Sequence, residues 1–134
     1  MKAIWCLVLL AFLATGICTA KVPNLVGNWT GLGTGYYADN GSYKMNENGS
    51  ISYTITEQKE RLFKGNITYV LNGTEIVEGF AGAVGLDNKT LYLAEYDKGY
   101  DIGTIISNDE IEFIYIEDGD SGWAAINKLH RVIA

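Results

Sequence analysis

Short segments rich in Tyr, Ile, Val, Thr and Phe alternate with turn signals along most of this 134-residue sequence. The turn signals recur at regular spacing, at Asn72-Gly73, Asp87-Asn88, Asp97-Lys98-Gly99, Asn108-Asp109 and Asp118-Gly119-Asp120. Between them apolar and polar residues alternate, most plainly over 51–56, with the period of two that is typical of half-buried strands. Because the later connections are so short, consecutive strands are predicted to be antiparallel neighbours in an all-β domain.

We predict eight strands, at 25–33, 50–57, 61–71, 74–84, 89–96, 100–107, 110–117 and 122–132, with a long polar loop over 34–48. Such a meander leaves two open edges, and closing the sheet into a barrel removes both. The alternative is a β-sandwich of the immunoglobulin kind, but the Cys, Trp and Cys spacing of that fold is missing. We therefore expect an eight-stranded antiparallel up-and-down barrel as a single domain over 21–134.

The N-terminal residues have the features of a cleavable signal peptide: Lys2, an apolar stretch over 3–13, and small residues ending at Ala20. We expect cleavage after Ala20 and a product that is secreted, extracellular or on the cell surface. Two alternatives stay open. One is a retained membrane anchor, for which the apolar stretch is short, and the other is lipid attachment at Cys18, which follows a bulky Ile17.

Removal of residues 1–20 changes the chemistry that the remaining chain can perform. The sequence has 2 cysteines, Cys6 and Cys18, and both lie in the leader, so the domain that remains has no disulfide. The chain is acidic, with a formal net charge of −6, which disfavours binding to nucleic acid or to anionic lipid. We expect a protein that is not integral to the membrane once processed, and its oligomeric state is left open.

Three residues at the two ends of the domain resemble a known signature. Gly27 and Trp29 form a Gly-x-Trp in the first predicted strand, and Arg131 stands in the last. This arrangement resembles the calycin superfamily, which includes the lipocalins and avidins. The resemblance implies that Trp29 closes one end of a ligand-binding barrel and that Arg131 packs across its ring. The alternative is that Trp29 is an ordinary core aromatic residue and Arg131 an ordinary surface cation.

The leading functional hypothesis is that the barrel interior binds a small, partly apolar ligand. Its proposed lining combines aromatic rings with hydroxyl groups that could orient a ligand, at Tyr53, Tyr69, Tyr100, Phe113, Tyr115 and Trp123. The alternative for these residues is a filled core without a cavity. Biotin is not supported as the ligand, because avidins enclose it with several tryptophans and the domain has only Trp29 and Trp123.

The second functional hypothesis is an extracellular surface interaction protein, such as an adhesin, an envelope component or an enzyme inhibitor, with no small-molecule ligand. It rests on the predicted loop over 34–48, which carries Tyr36, Tyr37 and Tyr43. Long loops on rigid scaffolds commonly carry binding sites.

An enzyme is the third hypothesis, and we expect no catalytic residues, no cofactor and no metal. The single histidine, His130, has the strand parity opposite to Arg131 and is expected to face outward. The segment 117–120 is interpreted as a hairpin turn rather than a calcium loop. The carboxylates are expected to be solvated, at Glu75, Glu78, Glu95, Asp97, Asp101, Glu110, Glu112, Glu117, Asp118 and Asp120.

Six Asn-x-Ser/Thr sequons predict N-glycosylation of the exported domain, at Asn28, Asn40, Asn48, Asn66, Asn72 and Asn88. Three of them are also Asn-Gly turns, which hairpins favour for their own geometry. By strand parity, Asn28 and Asn66 are expected to face solvent.

Overall fold

The computed structural model of the chain describes residues 21–39, 42–119 and 122–133, with the backbone alone described at residue 39 and over 42–48. The predicted signal peptide therefore lies outside the described residues. The described residues form eight strands, β1 (Gly27–Asp39), β2 (Ser42–Lys59), β3 (Leu62–Leu71), β4 (Thr74–Val84), β5 (Thr90–Glu95), β6 (Tyr100–Ser107), β7 (Glu110–Glu117) and β8 (Trp123–Arg131). None of the described residues belongs to a helix that is long and apolar enough to cross a membrane.

The strands close into an antiparallel barrel in which each strand pairs with its neighbours in sequence and β1 pairs with both β2 and β8. This confirms the predicted closed up-and-down barrel over the β-sandwich. Each connection from β2 onward is a short hairpin, and Asn72 and Gly73 both have positive φ, 51° and 77°, as a type I′ turn requires. The sequence could specify this topology because every pairing from β1 to β8 is local in the chain, apart from the final closure.

The predicted loop over 34–48 is wrong, because β1 and β2 continue into it as one long hairpin. Tyr36 pairs with Met45 and Tyr37 with Lys44, beyond a register shift between Gly33 and Gly35. Polar and glycine-rich composition argues against a strand, but here the backbone ladder continues through it. The ring of Tyr37 also packs onto Trp123, with ring centroids 5.2 Å apart.

An apolar cluster of buried side chains fills much of the barrel interior. Tyr53 stacks on Phe113 with ring centroids 4.9 Å apart, and Phe63 meets Phe80 edge to face at 6.1 Å. The other buried apolar members of the cluster are Leu25, Trp29, Ile55, Ile67, Val84, Leu91, Leu93, Ile111 and Leu129. This core holds the strands at fixed positions, so the side chains above it are held by a rigid frame.

The opposite end of the barrel is closed by Trp29 and Arg131. The indole Nε1 donates to the carbonyl oxygen of Leu25 at 2.9 Å, and the Arg131 guanidinium carbon lies 4.1 Å from the ring centroid. Arg131 Nη1 donates to the carbonyl oxygen of Val26 at 3.0 Å, and Nη2 donates to that of Asn24 at 2.9 Å. The guanidinium therefore ties the segment before β1 to the end of β8, and its stack on Trp29 is the packing that the calycin resemblance implies.

Candidate ligand-binding site

The end of the barrel away from Trp29 contains a cavity of about 310 Å³, here called the cup. Glycines at 33, 35 and 49 border it, where β1 and β2 place no side chain into the space. The volume lies near the lower limit for pockets that hold small organic molecules, about 300 to 1,000 Å³. The barrel interior is thus not completely filled by side chains, in contrast to the alternative of a packed core without a cavity.

The wall of the cup combines aromatic and aliphatic side chains. Trp123 contributes from β8, and its ring is held by the stacked Tyr37. The aliphatic lining residues come from β2 and β3 and comprise Ile51, Ile67, Val70 and Leu71. Because these two strands form one side of the cup, they give it an apolar wall.

Four of the six predicted lining residues border the cup: Tyr53, Tyr69, Tyr115 and Trp123. Phe113 is 1% exposed and belongs to the core, with its ring stacked on that of Tyr53. That these residues bind a ligand stays a prediction.

The placement of Tyr100 in the interior is wrong. Tyr100 is 46% exposed on the outer face, and its neighbour Asp101 points inward. The inward face of β6 also carries Gly103, which pairs with Phe113 on β7, and a side chain at Gly103 would overlap the Phe113 ring. The packing volume of Phe113 therefore selects the inward face of β6, although the other face has the more hydrophobic residues.

The expectation of a solvated carboxylate is also wrong for Asp101, which is 1% exposed. Its Oδ1 accepts a hydrogen bond from the Tyr53 hydroxyl at 3.3 Å, and Asn127 Nδ2 donates to that hydroxyl at 3.4 Å. Within the described part of the chain, Asp101 Oδ2 has no hydrogen-bond partner. Burial, followed by the Asp101 charge, raises the pKa of the Tyr53 hydroxyl well above its usual value, so Tyr53 remains a donor. A buried acceptor thus lies beneath the floor of the cup.

Glu95 lies at the wall of the cup, above Asp101. Burial raises the pKa of Glu95, and the charge of Asp101, a hydrogen bond to Asp101 and the charges of Glu78 and Glu117 act in the same direction. Together they raise this pKa from 4.5 to about 9. Burial also raises the pKa of Asp101 from 3.8 to about 6, against the opposing effect of hydrogen bonds from Glu95 and Tyr53. At neutral pH the proton is therefore held by Glu95, which donates to the Asp101 carboxylate.

Two further carboxyl groups face the same region. Glu117 lines the cup, and its Oε2 accepts a hydrogen bond from the Tyr115 hydroxyl at 2.9 Å. Glu78 Oε1 accepts from the backbone N–H of Asp97 at 2.8 Å. Lys98, with its side chain 65% exposed, places Nζ 3.7 Å from Glu117 Oε1. Among the described residues, the lining of the cup includes no lysine, arginine or histidine, so its ionisable carboxyl groups, Glu95 and Glu117, have no cationic counterpart in the lining.

The strand pattern of the sequence indicates an inward side chain for Glu95 and indicates it less clearly for Asp101. Glu95 has the strand parity of Leu91 and Leu93, which are both buried, and that parity predicts an inward side chain. Asp101 shares parity with Gly103 and Ile105, a face that hydrophobicity alone does not select. The described residues contain no group of three or more His, Cys, Asp or Glu side chains that could hold a metal ion.

The remaining predicted residues whose side chains are described lie on the outer face or in turns. His130 has a side chain that is 66% exposed, with Nδ1 3.4 Å from Glu110 Oε1. The sequon residues Asn28, Asn66 and Asn72 are exposed, and Asn88 is half-buried. Asn40 lies outside the described residues, as does the side chain of Asn48. Glycosylation at these six positions stays a prediction.

Comparison of the chain with models of known protein families and with curated proteins finds no match. The calycin likeness therefore consists of the closed antiparallel barrel and the stacking of Arg131 on Trp29.

Proposed function

We propose that this protein is an exported β-barrel that binds a small molecule in the cup, in the manner of lipocalins and avidins. The observation that supports this most directly is the cavity itself, about 310 Å³ and bordered by Tyr53, Tyr69, Tyr115 and Trp123. Aromatic walls with a few hydroxyl and carboxyl groups are typical of sites that bind organic ligands. A closed far end and a rigid core favour a cup that keeps its shape before the ligand arrives.

The proposal includes export and binding without turnover. Export rests on the leader over 1–20, with its apolar stretch and terminal Ala20. Binding without turnover rests on the residue types available: the single histidine, His130, is on the outer face, and the domain over 21–134 contains no cysteine.

The test is native mass spectrometry of protein purified from its own host, which retains a bound small molecule as added mass. A matched pair of variants locates the site, because Ala125 borders the cup and its neighbour Ala124 is exposed on the outer face. Ala125→Phe should fill part of the cup and remove the added mass, whereas Ala124→Phe should keep it. Circular dichroism checks that both variants fold. Absence of added mass from the unmodified protein, or its survival in a folded Ala125→Phe, would overturn the proposal.

An exposed apolar row on the outer face favours the second candidate, an interaction protein. Tyr92, Ile102, Ile114 and Ile126 pair in register across β5 to β8 and are 53%, 41%, 43% and 46% exposed. A contiguous apolar row of this kind is a candidate contact surface, and a second copy of the chain is the simplest partner. If two copies associate through this row, sedimentation velocity should show concentration-dependent association, and Ile114→Lys should remove it. A monomer at every concentration would contradict this candidate.

A further inference from the structure

We propose that the cup selects an organic cation, an amine or ammonium group attached to an apolar body. This inference rests on the proposed function, since it specifies the ligand of the same site. It follows from three features of the cup: the sign of its charge, the aromatic surface beside that charge, and the division of the wall into an acidic side and an apolar side.

The charge of the cup calls for a positive ligand group. Glu95 and Glu117 are in the lining, Asp101 lies just beneath it, and no cationic residue among the described ones borders the space. Asp101 Oδ2 is buried without a hydrogen-bond partner in the described part of the chain. A carboxylate oxygen in that position is costly unless a donor or a positive charge approaches it. An ammonium group in the cup supplies the positive charge, although Asp101 itself does not line the space.

The aromatic rings beside the acids favour a cation over other hydrogen-bond donors. Tyr69, Tyr115 and Trp123 border the cup together with Glu95 and Glu117. The face of an aromatic ring attracts a cation, and the attraction increases when water is excluded, as it is in a concave site. An anionic ligand would be repelled both by the ring faces and by the carboxylates, since all of them present negative charge to it.

The remaining wall determines what carries the positive group. Ile51, Ile67, Val70 and Leu71 form an apolar surface on β2 and β3. The volume of about 310 Å³ accommodates a molecule with a ring and a short chain. An arylalkylamine fits both parts of the cup, with its ammonium group toward Glu95 and its ring against the apolar wall.

A proton released on binding would link the ligand to Glu95. The titratable groups that act on Glu95, or on which it acts, from the surrounding strands are Tyr53, Tyr69, Glu78, Asp101, Tyr115 and Glu117. Lys98, in the β5–β6 turn, lies against Glu117. Since the raised pKa of Glu95 keeps it protonated near neutral pH, a cation beside it favours loss of that proton. Affinity for the cation should therefore rise between about pH 6 and pH 9, by up to about tenfold per pH unit.

Isothermal titration calorimetry with three probes of one shape tests the inference: phenethylamine, 2-phenylethanol and 3-phenylpropionate at pH 8. We expect phenethylamine to bind at least about tenfold more tightly than 2-phenylethanol and 3-phenylpropionate to bind most weakly. Equal binding of the amine and the alcohol, or tighter binding of the acid, would overturn the cation inference while leaving a ligand-binding cup. Absence of amine binding also overturns it, and the proposed function is then judged separately by the native mass measurement.

A matched pair of variants assigns the effect to the cup. Glu95→Gln keeps the shape of the side chain and should reduce phenethylamine affinity at least about tenfold while leaving 2-phenylethanol unchanged. Glu112→Gln, on the outer face of β7 opposite Lys128, should bind all three probes as the unmodified protein does. Titration in buffers of different ionisation enthalpy should show proton release for the unmodified protein and a smaller release for Glu95→Gln. Unchanged amine affinity in a folded Glu95→Gln contradicts the inference.

Discussion

Asp101 and Glu95 are the residues whose behaviour departs most from that of ordinary surface acids. Each carboxyl group loses hydration inside the barrel, and the loss favours the neutral form. The raised pKa of Glu95 lets it hold a proton and donate to Asp101, so the two groups carry about one negative charge at neutral pH rather than two. The charge of the cup therefore depends on the protonation of these carboxyl groups as much as on their position.

Stability should fall as the pH rises above about 5. The pKa of Glu95 is 4.5 when unfolded and about 9 when folded, so the folded state binds more protons between these values. Its contribution is fully present below pH 4.5 and is lost as the pH rises through 9. The raised pKa of Asp101 acts in the same direction up to about pH 6. The slope from Glu95 is at most about 1.4 kcal/mol per pH unit.

Thermal unfolding at pH 6 and pH 9 measures this effect. Glu95→Gln should have a melting temperature that changes less with pH than that of the unmodified protein, and it should be the more stable of the two at pH 9. Asp87 is exposed, and hydrogen bonds from Thr90 lower its pKa to about 2. Its titration therefore affects the stability only under more acidic conditions. A pH dependence that is the same with and without the Glu95 carboxyl would contradict the prediction.

Arg131 should stabilise the closed end through its planar guanidinium rather than through charge alone. Lysine cannot reproduce the bonds to the Val26 and Asn24 carbonyl oxygens together with the stack on Trp29. Arg131→Lys is expected to lower the free energy of unfolding by about 2 kcal/mol. Urea unfolding measures the loss, and Lys128→Arg on the exposed face of the same strand should change little. A double-mutant cycle with Trp29→Phe isolates the stack, and no coupling would refute this role.

At the scale of elements, hairpin chemistry explains most of the barrel and backbone contact explains its closure. The bounds of β4, β6 and β7 match those predicted from turn signals and alternation, because the turns at 72–73 and 108–109 end the strands directly. The lengths of β1 and β2 were not predictable in this way. The outer half of β1 pairs both with the outer half of β2 and with β8, and local composition does not contain these contacts.

The seam between β1 and β8 should depend on Gly31. A Cβ at this position would overlap the Lys128 carbonyl oxygen, which is backbone and cannot rotate away. Gly31→Ala should therefore destabilise the barrel by about 3 kcal/mol in urea unfolding. Gly79→Ala is the matched control, because its Cβ would come no closer than 3.9 Å to Asn66 Oδ1. Equal stabilities of the two variants would show that the seam can shift without cost.

At the scale of the whole molecule, the domain over 21–134 contains no cysteine, so no disulfide stabilises it. Barrel closure satisfies both sheet edges, and one apolar cluster connects all parts of the interior. The same closure creates the cup, because the interior positions near the open end are partly occupied by glycine. One architecture thus provides both the closed sheet and the cup.

Intact-mass measurement of the exported protein tests the leader. The expected product begins at Lys21 and carries added glycan mass if the host modifies the sequons, including the exposed Asn28, Asn66 and Asn72. Treatment with a glycosidase should then return the mass to that of residues 21–134. A product that retains residues 1–20, or one with lipid on Cys18, would contradict cleavage after Ala20.

The sequence by itself determined the strand order, most of the turns and the all-β class, because these follow from alternation and from glycine and asparagine at positive φ. It also indicated the pairing of Trp29 with the last strand. Only the tertiary structure decided which face of β6 points inward, since Phe113 on β7 requires Gly103 opposite it and brings Asp101 inside. The orientation of β6 is thus determined by side-chain volume on the neighbouring strand. Local hydrophobicity favoured an inward Tyr100, because it contains no information about the packing between strands.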